Sequence, residues 1–252
     1  MISNKFYRFF YVLFIAVTVT GSAQEIEVIV RAQAGDAKFI GSSIGGAKIL
    51  IKDALTNEIL SEGITRGSTG NTDKIMKEPH QRGERLTDEK TAGYKAIVTL
   101  SEPRFVTIEA YAPWNKKQAR VMSSTQLWLL PGKNITGDGI ILKIPGFVVD
   151  IVHPQTHQKY SSSEIEFKAN IVMMCGCPVS KGGLWDANQY EVTAIIKSED
   201  TKNLTVQMKQ EGRSSNFTGK LNLEKGSYEL IIQAFDPVTG NTGLDRTNFM
   251  VD

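Results

Sequence analysis

The residues with the most distinctive chemistry form one short run, Met173-Met174-Cys175-Gly176-Cys177-Pro178. This run places four sulfur atoms within five consecutive residues and contains both cysteines of the chain. Thiolate and thioether sulfurs are ligands that Cu(I) prefers. Because alternate residues of a strand share a face, Met173, Cys175 and Cys177 would present three sulfurs together. We therefore take these three residues as a candidate site for a soft metal ion such as copper.

The same two cysteines admit two other interpretations, a structural disulfide and a redox-active dithiol. A bridge across one intervening residue closes a very small ring, for which the loop-closure relation gives roughly 1.6 kcal/mol of stabilisation. In an extended strand the two Cα atoms would lie about 6.6 Å apart, at the limit of disulfide geometry. A bridge therefore requires a tight turn, which Gly176 and Pro178 can form. A strained bridge of this kind is readily reduced, as a thiol–disulfide oxidoreductase requires.

Motifs of the common enzyme classes are missing from the sequence. It has no nucleophile elbow, phosphate-binding loop, zinc-hydrolase helix or nicotinamide fingerprint. Structural zinc would need two further His or Cys ligands, and His80, His153 and His157 lie outside the loop that follows the cysteines. The sequence thus predicts a non-catalytic protein and assigns it no definite cofactor, with copper as the one candidate. Disulfide exchange is the one enzymatic alternative.

Four further side chains are candidates for a binding surface. Met174 lies within the sulfur-rich run, and Trp185 and Asp186 follow it in a glycine-containing loop. Trp185 would cover the sulfurs, contact a partner or anchor the loop. Trp114 is expected to be an exposed aromatic residue for a sugar or protein surface, whereas Trp128 is expected in the core. An adhesion or carbohydrate-binding module is therefore the third functional interpretation, and in it the cysteines would be structural.

The N-terminus has the order of a secretory signal peptide. Lys5 and Arg8 precede an apolar run from Phe9 to Val19, and Gly21-Ser22-Ala23 supplies the small residues of a cleavage site. The run is shorter than the roughly 20 residues of a membrane-spanning helix. We expect residues 1–23 to be removed after Ala23 and the mature protein to be periplasmic, on the cell surface or secreted, without a transmembrane anchor.

Charge patterning limits the possible partners. Lys and Arg total 29 against 27 Asp and Glu, which leaves a formal net charge of +2. No basic block is interleaved with aromatic residues, as a nucleic-acid surface would require. The partner expected is therefore a protein or a small ligand rather than nucleic acid.

Short stretches of alternating apolar residues, separated by Gly, Pro, Asn and Asp, recur through the mature chain and predict an all-β protein. About fourteen strands are expected, enough for two tandem β-sandwich domains of about 100 residues each. The turn pair Pro145-Gly146 marks the boundary, giving domains at 24–146 and 147–252. The predicted strands are 26–32, 47–53, 59–65, 94–100, 105–111, 119–129, 139–144, 147–152, 165–174, 190–197, 205–210, 216–223, 228–235 and 248–251.

The first predicted domain resembles the transthyretin-like, carboxypeptidase-regulatory-like sandwiches. The resemblance rests on Ile26–Val30, Ile44–Ile51, Thr56–Leu60 and Gly63–Thr65. It covers about 40 residues and implies a fold rather than an activity. A polar stretch at 66–92 departs from the family pattern, and its mixed charges and few large apolar residues favour a mobile loop over a ligand lid.

The second predicted domain resembles an immunoglobulin-like sandwich. Apolar residues alternate across the turn at Lys225-Gly226, and Tyr228 occupies the tyrosine-corner position at the start of strand F. The residue two beyond it is Leu230, so the inter-sheet disulfide of antibody domains is absent. In this topology Cys175 to Asn188 connect strands B and C, at the same end as the F–G turn and the start of strand A. The Cys-Gly-Cys turn is therefore expected at the domain junction, where binding sites are common.

Overall fold

The computed structural model describes residues 22–198 and 203–252, so nearly all of the expected signal peptide lies outside the described residues. These residues form sixteen strands and one short helix, and the strands follow the short apolar–polar alternations of the sequence. In chain order these are β1 (Gln24–Ala34), β2 (Lys48–Asp53), β3 (Ile59–Ile64), α1 (Thr72–Met76), β4 (Tyr94–Leu100), β5 (Arg104–Ala112), β6 (Val121–Leu129), β7 (Ile135–Ile144) and β8 (Phe147–His153). They continue with β9 (Gln158–Tyr160), β10 (Glu164–Met173), β11 (Glu191–Lys197), β12 (Leu204–Gln207), β13 (Lys209–Gln210), β14 (Asn216–Asn222), β15 (Gly226–Phe235) and β16 (Thr242–Val251). Turns of 3-10 helix cover Ser42–Ile44, Lys117–Ala119 and Ala187–Gln189.

The strands before residue 145 form one sandwich, which we call the first sandwich. Its two sheets have the orders β4-β1-β7 and β3-β2-β5-β6. Strand β5 shows the alternation that makes it a sandwich strand, because Val106, Ile108 and Ala110 are buried while the residues between them are partly exposed. The inward-facing side chains of both sheets form its apolar core.

The strands after residue 146 form the second sandwich, with sheet orders β13-β14-β10-β8 and β12-β11-β15-β16-β9. This is an immunoglobulin-like arrangement, with β8, β10 and β14 as strands A, B and E and β11, β15 and β16 as strands C, F and G. The hydroxyl of Tyr228 donates to the carbonyl oxygen of Glu224 at 2.8 Å, which is the expected tyrosine corner. The all-β, two-sandwich fold is thus confirmed. We propose the domain boundary at Gly146, between the last strand of one sandwich and the first strand of the other.

Several sequence predictions are corrected at the level of elements. The predicted strand 205–210 is divided at Met208, with β12 in one sheet and β13 in the facing sheet. The prediction missed β9, which pairs in parallel with the end of β16. Trp128 was expected in the core but is 61% exposed, because β6 lies at a sheet edge and directs this residue to the outer face.

The stretch 66–92, predicted as a mobile loop, contains α1 and is hydrogen-bonded to the first sandwich near its end. The buried guanidinium of Arg31 donates to the carbonyl oxygens of Thr91 and Ala92. The carboxylate of Asp138 accepts hydrogen bonds from the backbone N–H of Leu86 and of Thr87, at 2.8 and 3.0 Å. These anchors involve residues far apart in sequence, so no local pattern in the stretch could have indicated them.

Candidate site at the sandwich junction

The Cys-Gly-Cys turn lies at the junction, as predicted. Strand β10 ends at Met173, and the chain reverses there because the Gly176 N–H donates to the Met173 carbonyl at 2.7 Å. Gly176 supplies the positive φ of 77° that this reversal requires. A β-carbon at Gly176 would lie 3.4 Å from the side chain of Ile44 in the first sandwich. The turn therefore packs directly against the neighbouring sandwich.

The two cysteines form a disulfide within this turn, with their Cα atoms 5.3 Å apart. Only 1% of Cys175 and 5% of Cys177 is exposed, and Met173 and Met174 are also buried. The described state therefore contains a disulfide in place of the two thiolates that a copper site would use. No group of three or more His, Cys, Asp or Glu residues suited to a metal ion occurs in the described part of the chain.

Trp185 and Asp186 have structural roles in the loop between β10 and β11. The Trp185 indole is almost completely buried, and its Nε1 donates to the Asp36 carbonyl of the first sandwich at 2.8 Å. The Asp186 carboxylate accepts from the backbone N–H of Asn188 and of Gly182, and these bonds lower its pKa. Trp185 is thus the loop anchor among the alternatives considered for it, and Asp186 caps a turn.

Asn241 was not proposed as a site residue, yet it is a central polar contact of the junction. Its side-chain oxygen accepts from the Gly146 N–H at 2.7 Å, and its Nδ2 donates to the Gly35 carbonyl at 3.2 Å. On the other side of the junction, Lys116 forms an ion pair with Asp150 at 2.8 Å. The two sandwiches are therefore joined by directional contacts as well as by apolar packing.

Acidic groups also meet at the junction. Burial, followed by the charge of Asp236, raises the pKa of Asp36. Burial and the nearby charges of Asp236, Asp36 and Asp186 raise the pKa of Tyr190 to about 12. Tyr190 is therefore neutral near pH 7 and is no base for catalysis there.

A groove of about 480 Å³ opens beside the disulfide turn, between the two sandwiches. Val121 of the first sandwich and Phe235 and Leu244 of the second line it, and they are 38%, 39% and 43% exposed. Met174 forms part of the wall, which links the groove to the sulfur-rich segment. Sequence patterning did not identify this groove, because its walls come from both sandwiches and Val121 is more than 100 positions from Phe235 and Leu244.

Trp114 is a half-buried residue rather than a freely exposed aromatic. The guanidinium of Arg120 lies 4.0 Å from the centroid of its ring and also donates to its carbonyl oxygen. Trp128 instead packs at 5.1 Å against Phe105 on the outer face of β5 and β6. If an aromatic side chain of the first sandwich contacts a partner, Trp128 is the more accessible of the two.

The fold and the site together define a protein of two tandem β-sandwiches with a buried disulfide and an open groove at their junction. No helix of the described residues is long and apolar enough to span a membrane.

No family model matches the chain, and no curated protein matches it significantly. Among solved structures, fibronectin(III)-like modules of Clostridium thermocellum CbhA are 10% identical, with coverage of 90% of this chain and 94% of that one and a TM-score of 0.29. The Ig1-Ig2 unit of Dpr2, solved in complex with DIP-Theta, is 9% identical over 90% of this chain and all of that one, at a TM-score of 0.27. TM-scores of this size do not establish a shared fold, so the fold is assigned from the strand order of the four sheets.

Proposed function

We propose that this is an exported, non-catalytic binding protein that holds an apolar part of its ligand in the junction groove. The observation that carries the proposal is the convergence of Val121, Phe235 and Leu244, which belong to different sandwiches, on one groove. Burying their exposed surface would contribute about 25 cal/mol per Å² of apolar area. The side chains of Gln233 and Thr242, also in the lining, supply polar groups that would orient a ligand.

The junction contacts support this proposal because they fix the two walls relative to each other. The hydrogen bonds of Trp185 and Asn241 and the ion pair of Lys116 all cross from one sandwich to the other. The buried apolar side chains of both sandwiches also form one continuous cluster. A ligand would therefore enter a groove that is already formed, and binding would cost less conformational entropy.

Binding of an anilinonaphthalene sulfonate dye, which fluoresces in apolar sites, tests the groove. We expect the native protein to enhance dye fluorescence and the variants Phe235→Ser and Leu244→Ser to reduce the enhancement severalfold. Trp128→Ser is the matched control, because it removes an exposed apolar side chain outside the groove. Equal binding by all the variants, or loss only in Trp128→Ser, would refute the proposal. Circular dichroism confirms that each variant is folded.

Copper binding is a second candidate function, favoured by the four sulfur atoms of residues 173–177 beside the groove. It requires reduction of the disulfide by an external dithiol, which gives up two electrons and two protons to the cysteine sulfurs and becomes a disulfide itself. The reduced protein should then compete with a chelator for Cu(I), and Cys175→Ser/Cys177→Ser should not. Equal competition by the two proteins, or none by the reduced protein, would exclude a site formed by Met173, Cys175 and Cys177.

Two alternatives have weaker support. Disulfide exchange needs a thiolate to reach a sulfur atom, and the burial of Cys175 and Cys177 means that the turn would have to open first. A carbohydrate or adhesion surface would use Trp128 more readily than Trp114. The proposal of export rests on the signal-peptide pattern of residues 1–23. The proposal that the first sandwich is transthyretin-like rests on the segments Ile26–Val30, Ile44–Ile51, Thr56–Leu60 and Gly63–Thr65.

A further inference from the structure

Strand β6 presents a free backbone edge. It ends the sheet order β3-β2-β5-β6 and pairs only with β5, without a register shift, from Val121 to Leu129. Its other edge has no backbone partner among the described residues. Six of its nine residues are uncharged polar, β-branched or aromatic, and the strand contains neither a charged residue nor a proline. A long edge of this kind is a ready template for another strand.

The other edge strands of the described sheets carry features that oppose such pairing. Strands β9, β12 and β13 have two to four residues each. Strands β3, β7 and β8 pair with a register shift, and β4 carries Lys95 at an exposed position. Short length, bulges and lysines are the usual protection of sheet edges. Among the described edges, β6 alone combines regular pairing, nine residues and no charge.

The sequence of β6 is self-complementary about its centre. In an antiparallel pair of two copies centred on Thr125, Val121 faces Leu129 and Met122 faces Trp128, while Ser124 faces Gln126. Apolar ends thus meet apolar ends, Ser124 and Gln126 meet beside the axis, and a methionine sulfur meets an indole, a favourable contact. The one mixed pair is Ser123 with Leu127. This register also pairs all nine residues.

We propose that β6 is a dimerisation strand that pairs antiparallel with β6 of a second copy, with Thr125 on the two-fold axis. Two four-stranded sheets would then join into one continuous sheet of eight strands. An isologous contact of this type requires one self-complementary patch. The exposed side chains of Met122 and Trp128, 51% and 61% accessible in the monomer, would be partly covered at each end of the contact.

The faces of the sheet are consistent with this register. Met122, Ser124, Gln126 and Trp128 share the outer face of the sheet, since they pair with the outward residues of β5. Residues directly opposite each other in an antiparallel pair share a face. A two-fold axis through Thr125 pairs even-numbered residues with even-numbered ones, so the outer faces of both copies stay on one side.

Sedimentation velocity of the mature protein, at concentrations up to roughly 1 mM, tests the dimer. Variants that introduce charges at Ser124 and Gln126 probe its centre. Ser124→Lys/Gln126→Lys places like charges opposite each other and should weaken the dimer at least about tenfold. Ser124→Lys/Gln126→Glu places each lysine opposite a glutamate and should leave the dimer intact. Thr205→Lys/Gln207→Lys on the edge strand β12 is the matched control and should have no effect.

Cysteine cross-linking tests the register. Thr125→Cys should form a covalent dimer on mild oxidation, because opposite Cα atoms lie about 4.5 to 5.5 Å apart in an antiparallel pair. Ser123→Cys should not, since its counterpart would lie four residues away along the paired strand. A protein that remains monomeric at the highest concentration, or cross-links equally at both positions, would overturn the proposal. Val121 belongs both to the groove and to β6, but the groove variants Phe235→Ser and Leu244→Ser lie outside β6, so the two proposals fail separately.

Discussion

The indole Nε1 of Trp185 donates a hydrogen bond to the carbonyl oxygen of Asp36, 149 positions earlier in the chain, at 2.8 Å. This bond joins the loop after the disulfide turn to the turn that follows β1. Because the loop carries the buried disulfide at its start, the bond connects the sulfur-rich segment to the first sandwich. The junction is therefore a fixed part of the structure, and its contacts can be tested one at a time.

Removal of the Trp185 hydrogen bond should destabilise the protein measurably. Trp185→Phe keeps an aromatic ring but leaves the Asp36 carbonyl without this donor, so we expect the free energy of unfolding to fall by about 1–3 kcal/mol. Urea denaturation followed by circular dichroism measures the change. Trp128→Phe is the control, because Trp128 is exposed, and it should shift the value by less than about 0.5 kcal/mol. Equal losses in both variants would contradict the role assigned to Trp185.

Asn241 should be sensitive to substitution although it lies in a turn. Asn241→Ala leaves the Gly146 N–H and the Gly35 carbonyl without their side-chain partner at a buried position. We expect a loss of about 2–4 kcal/mol, since each unsatisfied buried group costs about 1–3 kcal/mol. Asn248→Ala, at an exposed position of β16, is the control. A near-zero change at Asn241, measured by thermal denaturation, would show that water replaces both bonds.

The disulfide should resist reduction in the folded protein yet contribute little stability. Because Cys175 and Cys177 are buried, an added dithiol should react much faster in denaturant than in native buffer. The double variant Cys175→Ala/Cys177→Ala should remain folded, with a loss from the bridge of about 1–2 kcal/mol on the loop-closure relation. Thiol titration over time and chemical denaturation measure the two effects. Fast reduction in native buffer would favour the redox interpretation.

Asp53 should contribute to the acid stability of the first sandwich. The ion pair with Arg104 and the hydrogen bonds from the backbone N–H of Thr56 and Leu55 hold the pKa of this carboxyl well below its usual range. A depressed folded-state pKa stabilises the protein above the unfolded pKa, about 3.9, and the stabilisation is lost as the pH falls below it. Asp53→Asn should therefore lower the Tm at pH 7 and flatten its decline between about pH 5 and 2.

Arg104→Gln provides the comparison for Asp53. It removes the ion pair but leaves the two backbone hydrogen bonds, so its effect on the Tm profile should be smaller than that of Asp53→Asn. If the Tm of Asp53→Asn falls with decreasing pH in parallel with the Tm of the native protein, this carboxylate does not control the loss of stability in acid.

Local sequence determined the strands and much of the second sandwich. Alternating side chains specify which face of a strand is buried, and Tyr228 with the turn at Lys225-Gly226 indicated an immunoglobulin-like corner. The order of strands then placed the Cys-Gly-Cys turn at the junction, because the ends of a sandwich are fixed by its connections. In each of these cases the information lies within about ten residues or follows from chain order.

Tertiary structure alone decided the contacts between distant segments. Trp128 reads as a core residue in its apolar neighbourhood, but the position of β6 at a sheet edge exposes it. No local pattern in the stretch 66–92 indicates its tertiary contacts, yet Arg31 and Asp138 bind it from other strands. The groove and the Trp185–Asp36 bond likewise depend on how two sandwiches pack, and local patterns carry no information about which distant residues will meet.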